Sequence, residues 1–451
     1  MRNRRRKKLP TTPLALEISA LSHEGRGIAH NEGKVVFVDG ALPGEKVEAV
    51  LTDRRSKFDQ ARLTEIHEAS PSRIEPACEY AAICGGCSLQ HFDPEAQLAF
   101  KESMLFEKLD HAVQGNEFRH LPPLKGPVLG YRRKARLAVR YVHKKEQVLV
   151  GFREKGSTFI TNMSTCVVLD PRISELLPEL AALIRSMSAF REIPQIEVAA
   201  GDPELETPST AFIFRHLKDL SEEDRGKLYQ FGVEKSIAIY LQPGGMETVH
   251  KIFPDNGPDR LYYELPSRSL TLGFHPTDFT QVNADINRHM IEQALGLLDL
   301  QSGDRVLDLF CGLGNFTLAA ASECQHVTGI EGAVTMVERG QENAKANGMD
   351  NTEFHCADLT KSMKDSLWFG AGFNKVLLDP PRSGCLEILP DIVELRPERI
   401  VYVSCNPATL ARDAAFLAEQ GYRLDSAGAM DMFPQTAHVE AMALFLDGKL
   451  K

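Results

Sequence analysis

Asp304-Arg305-Val306-Leu307-Asp308-Leu309-Phe310-Cys311-Gly312-Leu313-Gly314-Asn315-Phe316-Thr317 is the stretch that decides the fold. Its apolar run has strand length, its two glycines suit a tight turn, and the residues after them begin a helix. Strand-like runs recur at 326–330, 352–355, 375–378, 399–403 and 441–446, with helix-like segments between most of them. That rhythm predicts a doubly wound, largely parallel α/β sheet over 270–451. Ligands are then expected outside the carboxyl ends of its strands.

Gly312 and Gly314 match only half of the dinucleotide fingerprint, because Thr317 stands where its third glycine belongs. Asn315 follows the glycines, and the second strand ends in Glu331, where a carboxylate can hold ribose hydroxyls. The third strand ends near Asp358 and the fourth at Asp379-Pro380-Pro381-Arg382. One acid at a strand end is ordinary. A series of them along one ligand edge resembles S-adenosylmethionine binding in class I methyltransferases, a Rossmann-like fold. Enzymes that methylate amino groups carry an aromatic after the Asp-Pro-Pro tripeptide, to stack the base. Arg382 stands there instead and argues against an exocyclic nitrogen as acceptor.

The fifth strand-like run, Ile400 to Val403, stops just before Cys405, and Pro407 opens an amphipathic segment that ends before Gly421. A lone cysteine is more often a small buried hydrophobe. Between a strand end and a helix start it is partly exposed, and the helix end is expected to favour its thiolate. A carbon acceptor suits such a thiol. Uracil C5 becomes nucleophilic only after a thiolate adds at C6, and a base must later remove the C5 proton. In Phe433-Pro434-Gln435-Thr436-Ala437-His438-Val439-Glu440, a partly desolvated Glu440 is the candidate base, with His438 as its rival.

Upstream, residues 11–68 read as a small all-β unit. Short strands alternate with turns at Gly25-Arg26-Gly27 and Leu42-Pro43-Gly44-Glu45, as in an OB-type barrel. Then comes Cys78-x5-Cys84-Gly85-Gly86-Cys87, without the second pair a zinc ribbon needs; the remaining candidate ligand is Cys166. Three-plus-one thiolates suit Zn²⁺ or a [4Fe–4S] cluster, and spacing leaves both open. Residues 95–111 have helical periodicity, 131–152 alternate basic and apolar residues, 170–190 read as helix, and 195–265 as strands and turns. These predict a central α+β domain over 69–269.

The 451 residues carry a net charge of −10, with 43% hydrophobic content and nine cysteines. An odd cysteine count in a chain without an export signal argues against a disulfide framework. No apolar run reaches membrane length, so a cytoplasmic monomer with no membrane partner is expected. Despite the acidic total, the tail over 1–10 is basic, and no acid interrupts Tyr131 to Lys145. Such local patches are what meets phosphates.

Glu24-Gly25-Arg26-Gly27-Ile28-Ala29, Val36-Phe37-Val38 and Pro43-Gly44-Glu45 resemble the TRAM domain, an RNA-binding barrel. The stretches around Phe279-Thr280-Gln281-Val282-Asn283, Asp379-Pro380-Pro381-Arg382, Ser404-Cys405-Asn406-Pro407 and His438-Val439-Glu440 resemble the RNA uracil-5 methyltransferases. The resemblance runs from about residue 14 to 446. It implies that Cys405 is the nucleophile and Glu440 the base. It implies that Gln281, Phe310, Asn315, Glu331, Asp358 and Asp379 bind S-adenosylmethionine. It also implies that Phe279 stacks on the extruded base, and that Cys78, Cys84, Cys87 and Cys166 hold a [4Fe–4S] cluster in an iron–sulfur central domain. The tRNA-directed relatives are expected to lack barrel and cluster, which favours 23S rRNA as partner over tRNA or another rRNA uridine. Two rivals remain: a TRAM-bearing radical methylthiotransferase, which needs Cys-x3-Cys-x2-Cys, and a non-catalytic RNA-binding zinc protein.

Overall fold

The computed structural model describes residues 9–449 except Gln114, so the basic run at residues 2–8 lies outside the described residues. Compactness divides the chain into two units, one running to Met104 with Phe433–His438 added, the other made of Leu105–Met432 and Val439–Lys451. No helix among the described residues is long and apolar enough to cross a membrane.

In the first unit, strands Leu14–Glu17, Ala20–Leu21, Gly27–Asn31, Lys34–Asp39, Lys46–Arg54 and Phe58–Glu68 form one six-stranded sheet. In chain order its strands lie 1-5-6-4-3-2. Alternation buries Val36, Val38, Val47, Ala49 and Ala61 on one face, the core of the expected barrel. Gly25 turns with φ +76°, and a Cβ there would come within 2.9 Å of Leu89. Beyond the barrel, Gln97 in helix Pro94–Ala112 stitches irregular chain together. Its amide nitrogen donates to the carbonyls of Leu89 and Phe92, and its oxygen accepts from the Gln435 amide at 2.9 Å.

The second unit carries a mixed six-stranded sheet in the order His250–Phe253, Ala238–Gln242, Thr210–Arg215, Gln195–Ala200, Lys134–Val142, Gln147–Gly151. Two expectations need correcting here. The helix expected over 170–190 is two, Pro171–Ser174 and Leu177–Ser186, each opened by a proline in its first turn. A 14-residue helix, Glu222–Lys235, stands where strands and turns were expected. Ser221 caps it by accepting from the Asp224 amide, while Gly226 and Gly232 blur its apolar period. By compactness, residues 69–104 group with the barrel, and the hairpin Leu261–Leu265/Leu270–Phe274 lies within the second unit.

The larger sheet of this unit contains β1 (Arg305–Leu309), β2 (His326–Glu331), β3 (Thr352–Cys356), β4 (Lys375–Leu378), β5 (Arg399–Ser404), β6 (Tyr422–Met430) and β7 (Glu440–Asp447). Their spatial order is 3-2-1-4-5-7-6, with the short strand Arg119–His120 beyond β6. The first five run parallel and β7 runs antiparallel to β5 and β6. Helices α1 (Ala284–Leu298), α2 (Thr317–Ala321), α3 (Val334–Ala346), α4 (Leu389–Leu395) and α5 (Pro407–Glu419) accompany it. Strand β6 was absent from the sequence reading. Its Ser426-Ala427-Gly428-Ala429 run lacks β-branched residues and is buried throughout, so neither propensity nor alternation marks it.

Candidate active site

The antiparallel register of β5 and β7 pairs Ser404 with Ala441. Cys405 leaves β5 just as Glu440 enters β7, so the ladder that fixes one fixes the other across from it. Beyond Cys405, Asn406 caps α5: its Oδ1 accepts from the Ala408 amide at 3.1 Å, with Pro407 at the first helical position. The Asn406 Nδ2 donates to the Arg382 carbonyl at 3.0 Å and the Thr409 hydroxyl to the same oxygen at 3.3 Å. One cap therefore ties the Asp379–Arg382 loop to the turn that bears Cys405.

Four charges act on one another here. Burial, then the Glu440 and Asp379 carboxylates, push the Cys405 thiol up to about 11, against the pull of Arg382. The expectation that the helix end would favour the thiolate is therefore corrected: desolvation and two acids outweigh it. Burial, with help from Asp379 and against Arg382, raises Glu440 to about 8. Asp379 itself is lifted to about 7 by burial. His438 is exposed, with its ring edge-on to Phe433 at 5.7 Å.

The glycine turn after β1 takes left-handed backbone at Gly312 (φ +56°) and Gly314 (φ +94°), and Phe310 joins them at φ +65°. A residue with a Cβ in that region is strained, which suits a functional turn. A Cβ on Gly312 would find only Met336, at 3.6 Å, so the backbone there stands open to a ligand. Glu331 accepts from the Gly312 amide at 3.2 Å and the Ala333 amide at 3.0 Å. Asn315 exchanges amide hydrogen bonds with Asn287 and accepts from the Tyr263 hydroxyl at 2.8 Å. Gln281 lines a small pocket with Tyr263, Phe274 and Asn287, so Gln281 and Asn315 share neighbours. The sequence reading passed over Asp308. Thr317 donates to its Oδ2 at 2.6 Å, which gives the residue in place of the third glycine its own task. The other oxygen is buried without a partner, and burial raises the carboxyl to about 7. An acid inside an apolar strand was the available signal.

Asp358 stands apart. It is exposed, ion-paired with Lys361 at 2.8 Å and bonded to Thr360, and these contacts hold its carboxyl well below the usual range. Phe279 is 73% exposed.

The cysteines divide between the units: Cys78, Cys84 and Cys87 in the first, Cys166 in the second. Cys78 and Cys84 are buried, Cys87 is half-buried, and the Gly86 amide donates to the Cys84 sulfur at 3.4 Å. Glu48, Glu65 and His67, on the barrel, bring one ligand atom each within 4.8 Å of one another.

The model of the tRNA (Uracil-5-)-methyltransferase family matches residues 95–448, and that of the TRAM domain residues 14–64. A 23S rRNA (uracil(1939)-C(5))-methyltransferase RlmD of Hahella chejuensis is 51% identical over 449 residues, 98% of this chain and 99% of its own. The protein of that name from Alkalilimnicola ehrlichii is 53% identical over 443 residues, 98% of each chain. Among solved structures, a Pyrococcus abyssi tRNA (uracil-54, C5)-methyltransferase in complex with S-adenosyl-L-homocysteine superposes with a TM-score of 0.73. It is 24% identical and covers 96% of this chain and 99% of its own, a likeness of fold. A tRNA-directed protein thus has this fold almost end to end, so the expectation that the barrel separates rRNA from tRNA enzymes does not hold. The match over 354 residues and the relatives half identical across their whole length leave one conclusion: this chain belongs to the tRNA (uracil-5-)-methyltransferase family.

Proposed function

We propose that the protein methylates C5 of a uridine in 23S rRNA, with S-adenosylmethionine as methyl donor, through a covalent bond between Cys405 and uracil C6. The carrying observation is the β5–β7 register, which sets Cys405 against Glu440. The relatives half identical over the full chain support 23S rRNA as substrate.

Cys405 gives up its proton to water and its sulfur adds to C6, sending the C5–C6 electron pair toward C5 and the O4 carbonyl. When bound, S-adenosylmethionine supplies an electrophilic methyl group and a positive charge. Glu440, ionised at this stage, takes the C5 proton, and the electrons left behind expel the Cys405 sulfur. Arg382 opposes the raised pKa of both groups, and so helps each reach its anionic form. Gln281, Phe310, Asn315, Glu331 and Asp379 would hold the donor around the open glycine turn. Asp358 would have to exchange Lys361 for it. Phe279, exposed and apolar, suits stacking on an extruded base.

Cys78, Cys84, Cys87 and Cys166 would carry a [4Fe–4S] cluster, for which four thiolates are the ordinary ligand set. The reaction is expected in the cytoplasm, with the chain acting as a monomer. Mass mapping of 23S rRNA incubated with the protein and labelled donor tests the reading: one 5-methyluridine is expected, and label found only in tRNA would overturn the choice of substrate.

A further inference from the structure

The basic run at Tyr131–Lys145 does not act as one surface. Arg133 pairs with Asp202, Arg136 pairs with Glu197, and the Lys134 ammonium turns inward onto the Asp278 carbonyl. Arg140 is different. It opens into a cavity of about 300 Å³ on the central six-stranded sheet, together with Arg153, Arg191 and His143. No acidic residue lines that cavity, although the chain as a whole carries a net charge of −10. No ion pair among the described residues involves Arg140, Arg153 or Arg191, whereas Glu192, next in sequence, is occupied by Lys218 at 2.9 Å.

The cavity is also stiffened by aromatic residues. Tyr141 and Phe190 meet edge to face at 4.8 Å, and Arg191 lies 5.3 Å from the first ring and 5.0 Å from the second. Arg185 stacks on the same two rings. A guanidinium held by its face keeps its N–H edge free, with less rotamer freedom to lose when an anion arrives. At the rim, the turn supplying Thr158 and Ile160 to the lining exposes Phe159 by 65%. An unpaired trio of arginines beside a projecting aromatic has the chemistry that takes a phosphate and a base together.

We propose that this cavity is a second RNA-binding subsite, which takes a backbone phosphate of the rRNA on Arg140, Arg153 and Arg191 and an unpaired base on Phe159. It lies on a different sheet from Cys405 and rests on the reading of the chain as an rRNA methyltransferase. Its role is to anchor the substrate away from the target uridine. Losing it weakens RNA capture and leaves the chemical step alone.

The test uses the full-length protein, a 23S rRNA fragment containing the target uridine, and phosphate-ethylation interference. With wild-type protein, ethylation at one or two phosphates outside the target nucleotide is expected to block binding. In the triple variant Arg140→Gln, Arg153→Gln, Arg191→Gln those phosphates should stop interfering. KM for RNA should rise about tenfold with kcat at saturating RNA unchanged, and the salt slope should fall by about 0.7 for each phosphate the variant no longer neutralises. Phe159→Ala should raise KM by a similar factor without altering the salt slope, because stacking releases no counterions. The affected side chains are exposed, so a thermal melt matching wild type checks folding. An interference pattern in the triple variant identical to wild type overturns the subsite while methylation by wild type continues. A wild-type protein that neither binds nor methylates the fragment overturns the function and the subsite together.

Discussion

In the proposed mechanism Cys405 and Glu440 divide the reaction between them, so an alanine at the first and an amide at the second each isolate one half of it. Cys405→Ala is expected to abolish methylation while S-adenosylmethionine still binds. Glu440→Gln should still allow attack and methyl transfer but stall before elimination, because an amide cannot take the C5 proton. A protein–RNA adduct that survives denaturation should accumulate in Glu440→Gln and be missing in Cys405→Ala on a denaturing gel. Normal turnover of Glu440→Gln without adduct would move the base to His438. The pH dependence follows from burial. With Glu440 raised to about 8, the folded protein keeps a proton that the unfolded chain gives up above the ordinary carboxylate range near 4.5. The fold therefore loses stability as pH rises from about 4.5 to about 8, and the loss is complete above that. Glu440→Gln removes it, so its melting temperature should exceed that of wild type at pH 9 and converge with it near pH 4. The same titration governs activity: kcat should climb through about pH 8 as the base ionises.

At the level of single elements, packing reverses what propensity recommends. Glycine inside a helix normally costs about 1 kcal/mol relative to alanine. In α3, however, a Cβ on Gly340 would stand 2.5 Å from the Phe354 ring on β3. Gly340→Ala is therefore expected to destabilise by about 1–3 kcal/mol in denaturant unfolding, the usual cost of overpacking. The α5 cap has a double role of another kind. Asn406→Ala should cost about 1 kcal/mol as a lost cap. Because the same side chain holds the Arg382 carbonyl, kcat should fall further than that stability loss explains. The strand–glycine–helix unit at Asp304–Thr317 and the run before Cys405 were legible because apolar runs of strand length stop at turn residues. Strand β6 and helix Glu222–Lys235 were not. The first is buried on small residues without alternation, and the second interrupts its apolar stripe with glycines.

Across the whole molecule, the four cysteines make the claim that metal analysis settles. Anaerobically purified protein is expected to be brown with about four irons per chain, and colourless protein with one zinc would refute the cluster. The sequence by itself determined the α/β class of the catalytic domain, the all-β amino-terminal domain and the family. These rest on local patterns, apolar periods ended by turn residues and short motifs, which need no knowledge of distant chain. Only the tertiary structure decided which charges are spent. It tied Arg133 and Arg136 to acids, turned Lys134 inward, gave Asp358 to Lys361 and left Arg140 unpaired. It also buried Cys405 beside the Glu440 and Asp379 carboxylates, which push its thiol up against the pull of Arg382. Desolvation and charge pairing depend on neighbours remote in sequence: residues 405 and 440 meet only through a ladder between strands, a relation that no spacing along the chain encodes.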